Sequence, residues 1–557
     1  MDQPRVIGHV VSVNGFRLKV ELASEAKSSS RATPDGVQRA VAINAFLTFD
    51  LGAGTHAIGV LSDLEARESY DPSGDDELSL QLTKPRRVAS IQLLGTVRQS
   101  GKNRWKFDTG ITVLPTLDTP AEVANPEILL CVFGQPPQRN RPQSWTENDG
   151  DFDFALEIGH QTGDENTVVK ASFNDLFSRP LAIVGNTGSG KSYTVTSLLR
   201  SVIDFLSGSD VNIDALTAAV KGYLVQENGR YKNFYAEPVT NGTAIDAALQ
   251  NLHAAIEGKI PTSSSTTDIT ASGDTPSFIS VAAVGNTASL IAAASLEESA
   301  QINQHLTTLR MRLKTRLADK RWSIFTNYEA LSIKNTMDWF KSLGFTAKAS
   351  KVTVIDLSML AHEVLPFICA TIGRVLLEAR EKLAADQRFH SPWVIVLEEA
   401  HNYARPARQD EDRGQAQSRK AFERIAKEGR KFGLSLIVAS QRPSEISPTI
   451  ISQCANFFSH RLQNPDDIDH FKRIIPKQAQ RLLDQVTVLA SGEAIVFGSA
   501  VHVPSRVQIK IPSQEPSSVT SAPYADWGKP QNFPINEVLK AWGISEPADP
   551  NSPSRAP

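Results

Sequence analysis

The sequence predicts an α/β fold, with a small β-barrel ahead of the core and a helical insertion within it. Three observations predict this. From about Ile158, apolar strand-like runs alternate with helical stretches. One of those runs, Leu181-Ala182-Ile183-Val184, opens directly into a Gly-rich loop and an amphipathic helix. The first ~115 residues instead carry short β-branched runs separated by turn residues.

The barrel comes first. Val6–Val13, Phe16–Leu22, Ala57–Leu61, Ile91–Val97 and Ile111–Leu114 read as strands, and Asn14-Gly15 between the first two is a hairpin signal. A polar, Pro-rich connector follows from Gln135 to Asp151. The α/β pattern breaks near Ser207 and resumes at Lys351, which predicts an insertion of helices and a Ser/Thr-rich loop, Pro261–Thr275. The resulting domains are 1–117 (barrel), 150–206 with 350–510 (core), 207–349 (helical insertion) and 511–557 (C-terminal tail).

The loop after Leu181–Val184 reads Gly185-Asn186-Thr187-Gly188-Ser189-Gly190-Lys191-Ser192, followed by Tyr193, and fits the phosphate-loop pattern in full. Its glycines let backbone N–H groups converge on phosphate oxygens. Lys191 can reach the β and γ phosphates of a bound nucleotide, and the Ser192 hydroxyl can ligate Mg²⁺. The helix that follows places Val195, Leu198, Leu199, Val202 and Ile203 on one face, and its N-terminus adds a favourable field for anions.

A second apolar run, Trp393–Leu397, ends in Glu398-Glu399-Ala400-His401-Asn402. Paired acids at a strand tip suit a Walker B site, Glu398 on the metal side and Glu399 polarising the attacking water. A third run, Leu434–Ser440, ends in Gln441-Arg442-Pro443, and Gln441 is placed to sense the γ-phosphate. Arg430, at a helix end just before this strand, is the candidate for a finger reaching a neighbouring subunit, with Arg442 and Arg461 as alternatives. Between Arg405 and Lys431 basic residues crowd among acids. They read equally as a sequence-independent DNA contact or as a solvated helix with ion pairs such as Glu423–Lys427.

Composition excludes several classes. Lys plus Arg total 58 against 61 for Asp plus Glu, so nothing globally basic is present. The three cysteines, Cys131, Cys369 and Cys454, have no zinc or redox spacing and read as buried thiols of a reducing compartment. No run approaches the ~20 apolar residues of a spanning helix, and the N-terminus lacks signal-peptide character. The expectation is a cytoplasmic protein with no membrane contact.

In order and wording these segments resemble the HerA family of hexameric DNA-translocating ATPases, within the HerA/FtsK superfamily. The matching pieces are Ile7-Gly8-His9-Val10, GNTGSGKS at Gly185–Ser192, Val354–Ser358, LEEAHNY at Leu397–Tyr403, KEGRKFGLSLIVASQRP at Lys427–Pro443 and GEAIVFG at Gly492–Gly498. The resemblance implies a HAS-type N-terminal barrel, a RecA-like P-loop ATPase core, and a homohexameric ring with double-stranded DNA in its central pore. It also implies an effector partner protein, a nuclease or, among bacterial anti-phage relatives, another defence effector. By residue, it implies Lys191 and Ser192 as phosphate and Mg²⁺ ligands, Glu398 as the metal-side acid, Glu399 as the catalytic base, Gln441 as sensor and Arg430 as trans finger. Many relatives have Asp where this chain has Glu398. Two functions fit these residues: an ATP-driven DNA translocase or helicase, and an ATP-gated ring scaffold that regulates an effector.

Overall fold

The computed structural model describes residues 5–26, 28–34, 36–67, 86–100, 105–135, 153–207, 311, 354–357, 360–384, 388, 392–409, 411–474, 482–512, 524 and 535. Almost all of the expected insertion, of the Pro-rich connector and of the C-terminal tail lies outside these residues. The chain divides into Met1–Ser513 and Gln514–Pro557, and everything below concerns the first unit.

Nine strands precede the core: β1 (Val6–Asn14), β2 (Arg17–Leu22), β3 (Ser30–Thr33), β4 (Gly36–Arg39), β5 (Phe46–Gly52), β6 (Thr55–Arg67), β7 (Arg86–Gln99), β8 (Trp105–Asp108) and β9 (Pro120–Val123). The sheet runs β2-β1-β9-β5-β6-β7-β8, and β2 also pairs with β7, so six strands close into a barrel with β8 outside it. Closure leaves no free edge among those six. Inward side chains such as Ile7, Val10, Leu47, Phe49, Leu61 and Ile91 fill the interior. Asn14-Gly15 does turn the first hairpin, with Asn14 opposite Arg17 and Gly15 at φ 57°. Ile111–Leu114, expected as a strand, is irregular instead. Gly110 and Pro115 bracket it, Gly110 gives its carbonyl to the Thr96 hydroxyl, and Val113 and Leu114 face solvent. The barrel closes with β9, past the residue-117 boundary drawn from the sequence.

The core follows: α1 (Pro126–Phe133), β10 (Ala155–Gln161), β11 (Asp164–Ser172), α2 (Phe173–Phe177), β12 (Leu181–Val184), α3 (Lys191–Ser207), α4 (Leu365–Glu381), β13 (Trp393–Leu397), α5 (Arg413–Glu428), β14 (Leu434–Ser440), α6 (Pro448–Gln453), β15 (Asn456–Ser459), α7 (Pro465–Ile474), β16 (Glu493–Gly498) and β17 (Ser505–Ile509). Eight strands form one sheet, β11-β10-β17-β16-β15-β12-β14-β13. The four from β15 to β13 are mutually parallel and the rest pair antiparallel.

Both faces of the parallel half are covered, so its strands read as unbroken apolar runs. Period-2 alternation sorts them: Leu181, Ile183, Ile437, Ala439, Phe458 and Val496 face the layer of α1, α3 and the barrel. Ala182, Val184, Leu436, Val438, Phe457 and Phe497 face α4, α5 and their neighbours. On α3, Val195 and Leu198 are buried, and Leu199 and Val202 pack beside them. The barrel is part of this same packing: Phe46 meets Phe133 edge-on at 4.9 Å, and Asn44 and Gln485 exchange amide hydrogen bonds at 2.8 and 3.1 Å. All three cysteines are buried and unpaired. Among the described residues no helix is long and apolar enough to cross a membrane.

Candidate nucleotide site

Strand order decides what meets what. β12 lies between β15 and β14, and β14 separates it from β13. The loop after β12 is therefore flanked by the tip of β15 on one side and the tip of β14 on the other. The acids at the tip of β13 stand one strand further along.

Within the loop, Gly185, Gly188 and Gly190 have φ of 156°, 72° and 113°. At Gly190 space is as demanding as conformation, because a Cβ would stand 3.0 Å from the Gly492 Cα. Ser189 is buried and its hydroxyl donates to the Asn186 carbonyl at 2.6 Å, tightening the turn. Lys191 Nζ donates to the same carbonyl at 3.2 Å. Only 7% of Lys191 is exposed. Burial lowers its pKa, and the nearby Glu399 and Glu398 carboxylates act against that.

Glu398 and Glu399 both turn toward the loop because the strand ends in an unusual backbone: Glu399 is left-handed, with φ 49° and ψ 48°. For a non-glycine residue that conformation costs on the order of 1–3 kcal/mol and concentrates at functional sites. Ser192 Oγ donates to Glu398 Oε1 at 3.3 Å. The Tyr403 hydroxyl donates to the Glu398 carbonyl, tying down the same corner, and burial raises its pKa.

Glu399 joins a longer chain. Gln441, at the tip of β14, donates from Nε2 to Glu399 Oε1 at 2.5 Å and accepts at Oε1 from the Thr187 hydroxyl at 2.5 Å. One amide thus spans from the loop to the acid pair, the span that β14's place between β12 and β13 makes available. His401 Nδ1 lies 3.4 Å from Glu399 Oε2 and 3.1 Å from Ser440 Oγ. Burial pulls His401 below its usual pKa although Glu399 opposes this, and Glu399 Oε2 itself is buried without a hydrogen-bond partner among the described residues.

The structure therefore brings Thr187, Lys191, Ser192, Glu398, Glu399 and Gln441 into one cluster. Gly185, Asn186, Gly188, Ser189 and Gly190 form its loop, and Tyr193 is half-buried in the first turn of α3. Arg430 is not in it. It is exposed on the turn after α5 and has no side-chain partner among the described residues. Behind that turn the fully buried Arg380 donates from Nε to the Phe432 carbonyl at 2.8 Å and stacks 4.9 Å over Trp393. Burial brings Arg380 down to about 10, and Arg388 adds to this. Of the alternative fingers, Arg442 is paired with Glu445 at 2.6 Å, and Arg461 is half-buried with an unpartnered Nε.

The basic stretch is also sorted. Arg405 donates to the His401 carbonyl, Arg419 pairs with Glu411 at 2.8 Å, and Arg424 with Glu381 at 2.5 Å. Glu423 pairs with Arg419 at 3.4 Å rather than with Lys427, and also accepts from the Ser447 hydroxyl. Arg408, Arg413, Lys420, Lys427 and Lys431 are exposed without described partners.

Sequence reading missed the other flank of the loop. His460, at the tip of β15, is fully buried against Gly185 and Gly190. The turn before β16 clasps the loop from outside: Gly492 N–H donates to the Ser189 carbonyl at 3.0 Å, and the Ser491 hydroxyl to the Gly188 carbonyl at 2.9 Å. The buried Glu493 holds that turn, accepting from the Ala490 N–H at 2.7 Å and from Arg506 at 2.6 Å. The one available signal was GEAIVFG, which marks the segment without naming its contact.

Fold and loop together define a P-loop ATPase arrangement. Residues 156–214 match the family described as "Helicase HerA, central domain". A probable helicase of Methanocaldococcus jannaschii is 25% identical over 76% of this chain and 76% of its own length. The DNA double-strand break repair helicase HerA of Pyrococcus furiosus is 26% identical over 65% of this chain and 70% of its own. Among solved structures, the plasmid coupling protein TrwB covers 65% of this chain and 92% of its own at 12% identity and TM-score 0.38, too distant to carry an argument. The similarity is to HerA-type helicases, and it supports nucleotide binding and ATPase activity at the level of that family.

Proposed function

We propose that this protein is an ATP-hydrolysing motor of the HerA type that moves duplex DNA through a homohexameric ring. The observation that carries the reading is the Thr187–Gln441–Glu399 bridge, which ties the phosphate loop to the acid pair across one intervening strand. Lys191 and the loop N–H groups would hold the β and γ phosphates. Glu399 would take the proton from a water attacking the γ-phosphorus as the bond to the ADP oxygen breaks. Gln441 would orient that water or report the γ-phosphate.

Ser192 and Glu398 supply two hard oxygen donors 3.3 Å apart, which suits Mg²⁺, an ion that takes few protein ligands and completes its shell with phosphate and water. Bound there, Mg²⁺ would neutralise charge on the phosphates. Arg430, presented outward, would reach the site of the next subunit. Arg408, Arg413, Lys420, Lys427 and Lys431, exposed and without partners among the described residues, are the candidates for DNA phosphates. An effector protein, a nuclease or a defence effector, would act with the ring.

The test is steady-state ATP hydrolysis with and without linear duplex DNA at two salt concentrations. The expected result is Lys191-dependent hydrolysis that DNA stimulates severalfold at low salt and much less at high salt. Hydrolysis indifferent to DNA at both salts would replace the motor with a ring scaffold that gates an effector.

A further inference from the structure

The back of the phosphate loop contains a group with no place in the chemistry above. His460 has no exposed surface, and its ring makes two hydrogen bonds of 2.8 Å, one at each nitrogen. Nδ1 faces the Glu493 carbonyl, which can only accept, so Nδ1 carries the proton. Burial holds the ring neutral, down to about 4, and Lys191 nearby works in the same direction. A neutral ring with its proton on Nδ1 must accept at Nε2, so the Thr194 hydroxyl is the donor there.

The two partners belong to different segments of the chain. Thr194 lies in the first turn of α3, its N–H bonded to the Gly190 carbonyl, three residues beyond Lys191. Glu493 anchors the 490–493 turn, which holds the Gly188 and Ser189 carbonyls. The His460 backbone continues the β15–β12 pairing, donating to the Val184 carbonyl, and Asn186 N–H donates to the Arg461 carbonyl. A Cβ on Gly185 would stand 2.5 Å from the His460 Cβ, so the loop has no room for a side chain at this position.

We propose that His460 is a positioning residue for the phosphate loop, bridging the first turn of α3 to the 490–493 turn so that Lys191 and the loop N–H groups are set for a nucleoside triphosphate before it arrives. It touches no substrate and acts through Thr194 and Glu493. The proposal rests on the reading of the loop as an ATP site.

Thr194→Val removes one hydroxyl at nearly constant volume, and His460→Ala removes both bonds. Each is measured in the full-length chain for ATP affinity by calorimetry, for KM and kcat, and for Tm. Thr194→Val is expected to weaken ATP binding and raise KM roughly tenfold, about the effect of one lost buried hydrogen bond, and His460→Ala to do so at least as strongly, each with a smaller change in kcat. The double variant should be no weaker in ATP binding than His460→Ala, because the two share one bond. A folded Thr194→Val protein with wild-type ATP affinity overturns the proposal, whatever its Tm, and carries the test if His460→Ala does not fold. Wild-type protein that binds no ATP, or Lys191→Ala protein with wild-type affinity, would instead overturn the ATP-site reading itself.

Discussion

The phosphate loop has two flanks, and they are built from opposite materials. On the β14 side stand Thr187, Gln441, Glu399, Glu398 and Ser192, polar groups partly open to solvent and joined by side chain–side chain bonds. Their hinge is the left-handed backbone of Glu399. On the β15 side stand His460, Thr194 and Glu493, almost wholly buried, whose bonds run largely to backbone carbonyls. One flank keeps its reactive groups accessible at the expense of strain. The other sacrifices access for rigidity. Catalysis by positioned charges needs both, since preorganised donors add little if the frame behind them can relax.

If that division is right, changes on the open flank should strike turnover and changes on the buried flank should strike affinity and stability. The largest effect belongs to a residue outside both. Arg430 has no side-chain partner among the described residues, so on this reading the open flank would be incomplete until a second subunit supplies a cation. Arg430→Ala should lower kcat about 10³-fold or more while leaving ATP binding nearly intact. Mixed with Glu399→Gln subunits, which are inactive but keep Arg430, it should regain activity, because the neighbour's finger completes an intact Glu399 site, whereas Arg442→Ala, whose arginine is held by Glu445, should cost little by itself. No recovery in that mixture, or a loss from Arg442→Ala as large as that from Arg430→Ala, would move the finger.

Next comes Glu399→Gln, which keeps the shape and the reach to Gln441 but removes the proton acceptor. Hydrolysis should fall about 10²-fold or more with ATP still bound, as read by nucleotide retention on a desalting column. Unchanged turnover would place the base elsewhere and leave the Thr187–Gln441–Glu399 bridge as structure alone.

The two flanks also differed in how far the sequence disclosed them. The open flank is written in contiguous strings, GNTGSGKS, LEEAH and ASQRP, each at the end of an apolar run whose burial on both faces the composition already implies. What the strings withhold is strand order, and only with β14 between β12 and β13 does Gln441 become a bridge. The buried flank draws single residues from three segments, Thr194, His460 and Glu493, with no spacing rule to connect them. A lone histidine after Asn456–Ser459 carries no local sign of its partners. In the N-terminal region the same limit shows differently. β3 and β4 are exposed and polar, so no apolar alternation announces them. Ile111–Leu114 is apolar yet irregular, because Gly110 and Pro115 bracket it and the Gly110 carbonyl is taken by Thr96.

The smallest effect probes the buried flank without touching its hydrogen-bonding partners. His460 is held down to about 4 in the folded protein, against about 6.5 for an unfolded histidine. Between those values the unfolded chain binds the proton and the folded one does not. The folded state therefore keeps the full contribution of His460 above pH 6.5 and loses it as pH falls toward 4, by roughly 1.4 kcal/mol per unit in the steep part of that window. Carboxylates titrate in the lower part of the same range, so the comparison is with His460→Gln, which has no proton to gain. Melting temperatures taken at pH 7.5, 6.5 and 5.5 should fall more steeply for wild type than for His460→Gln. Parallel profiles would mean that the ring accepts a proton without disturbing the loop, and the buried flank would then be less rigid than its two short bonds indicate.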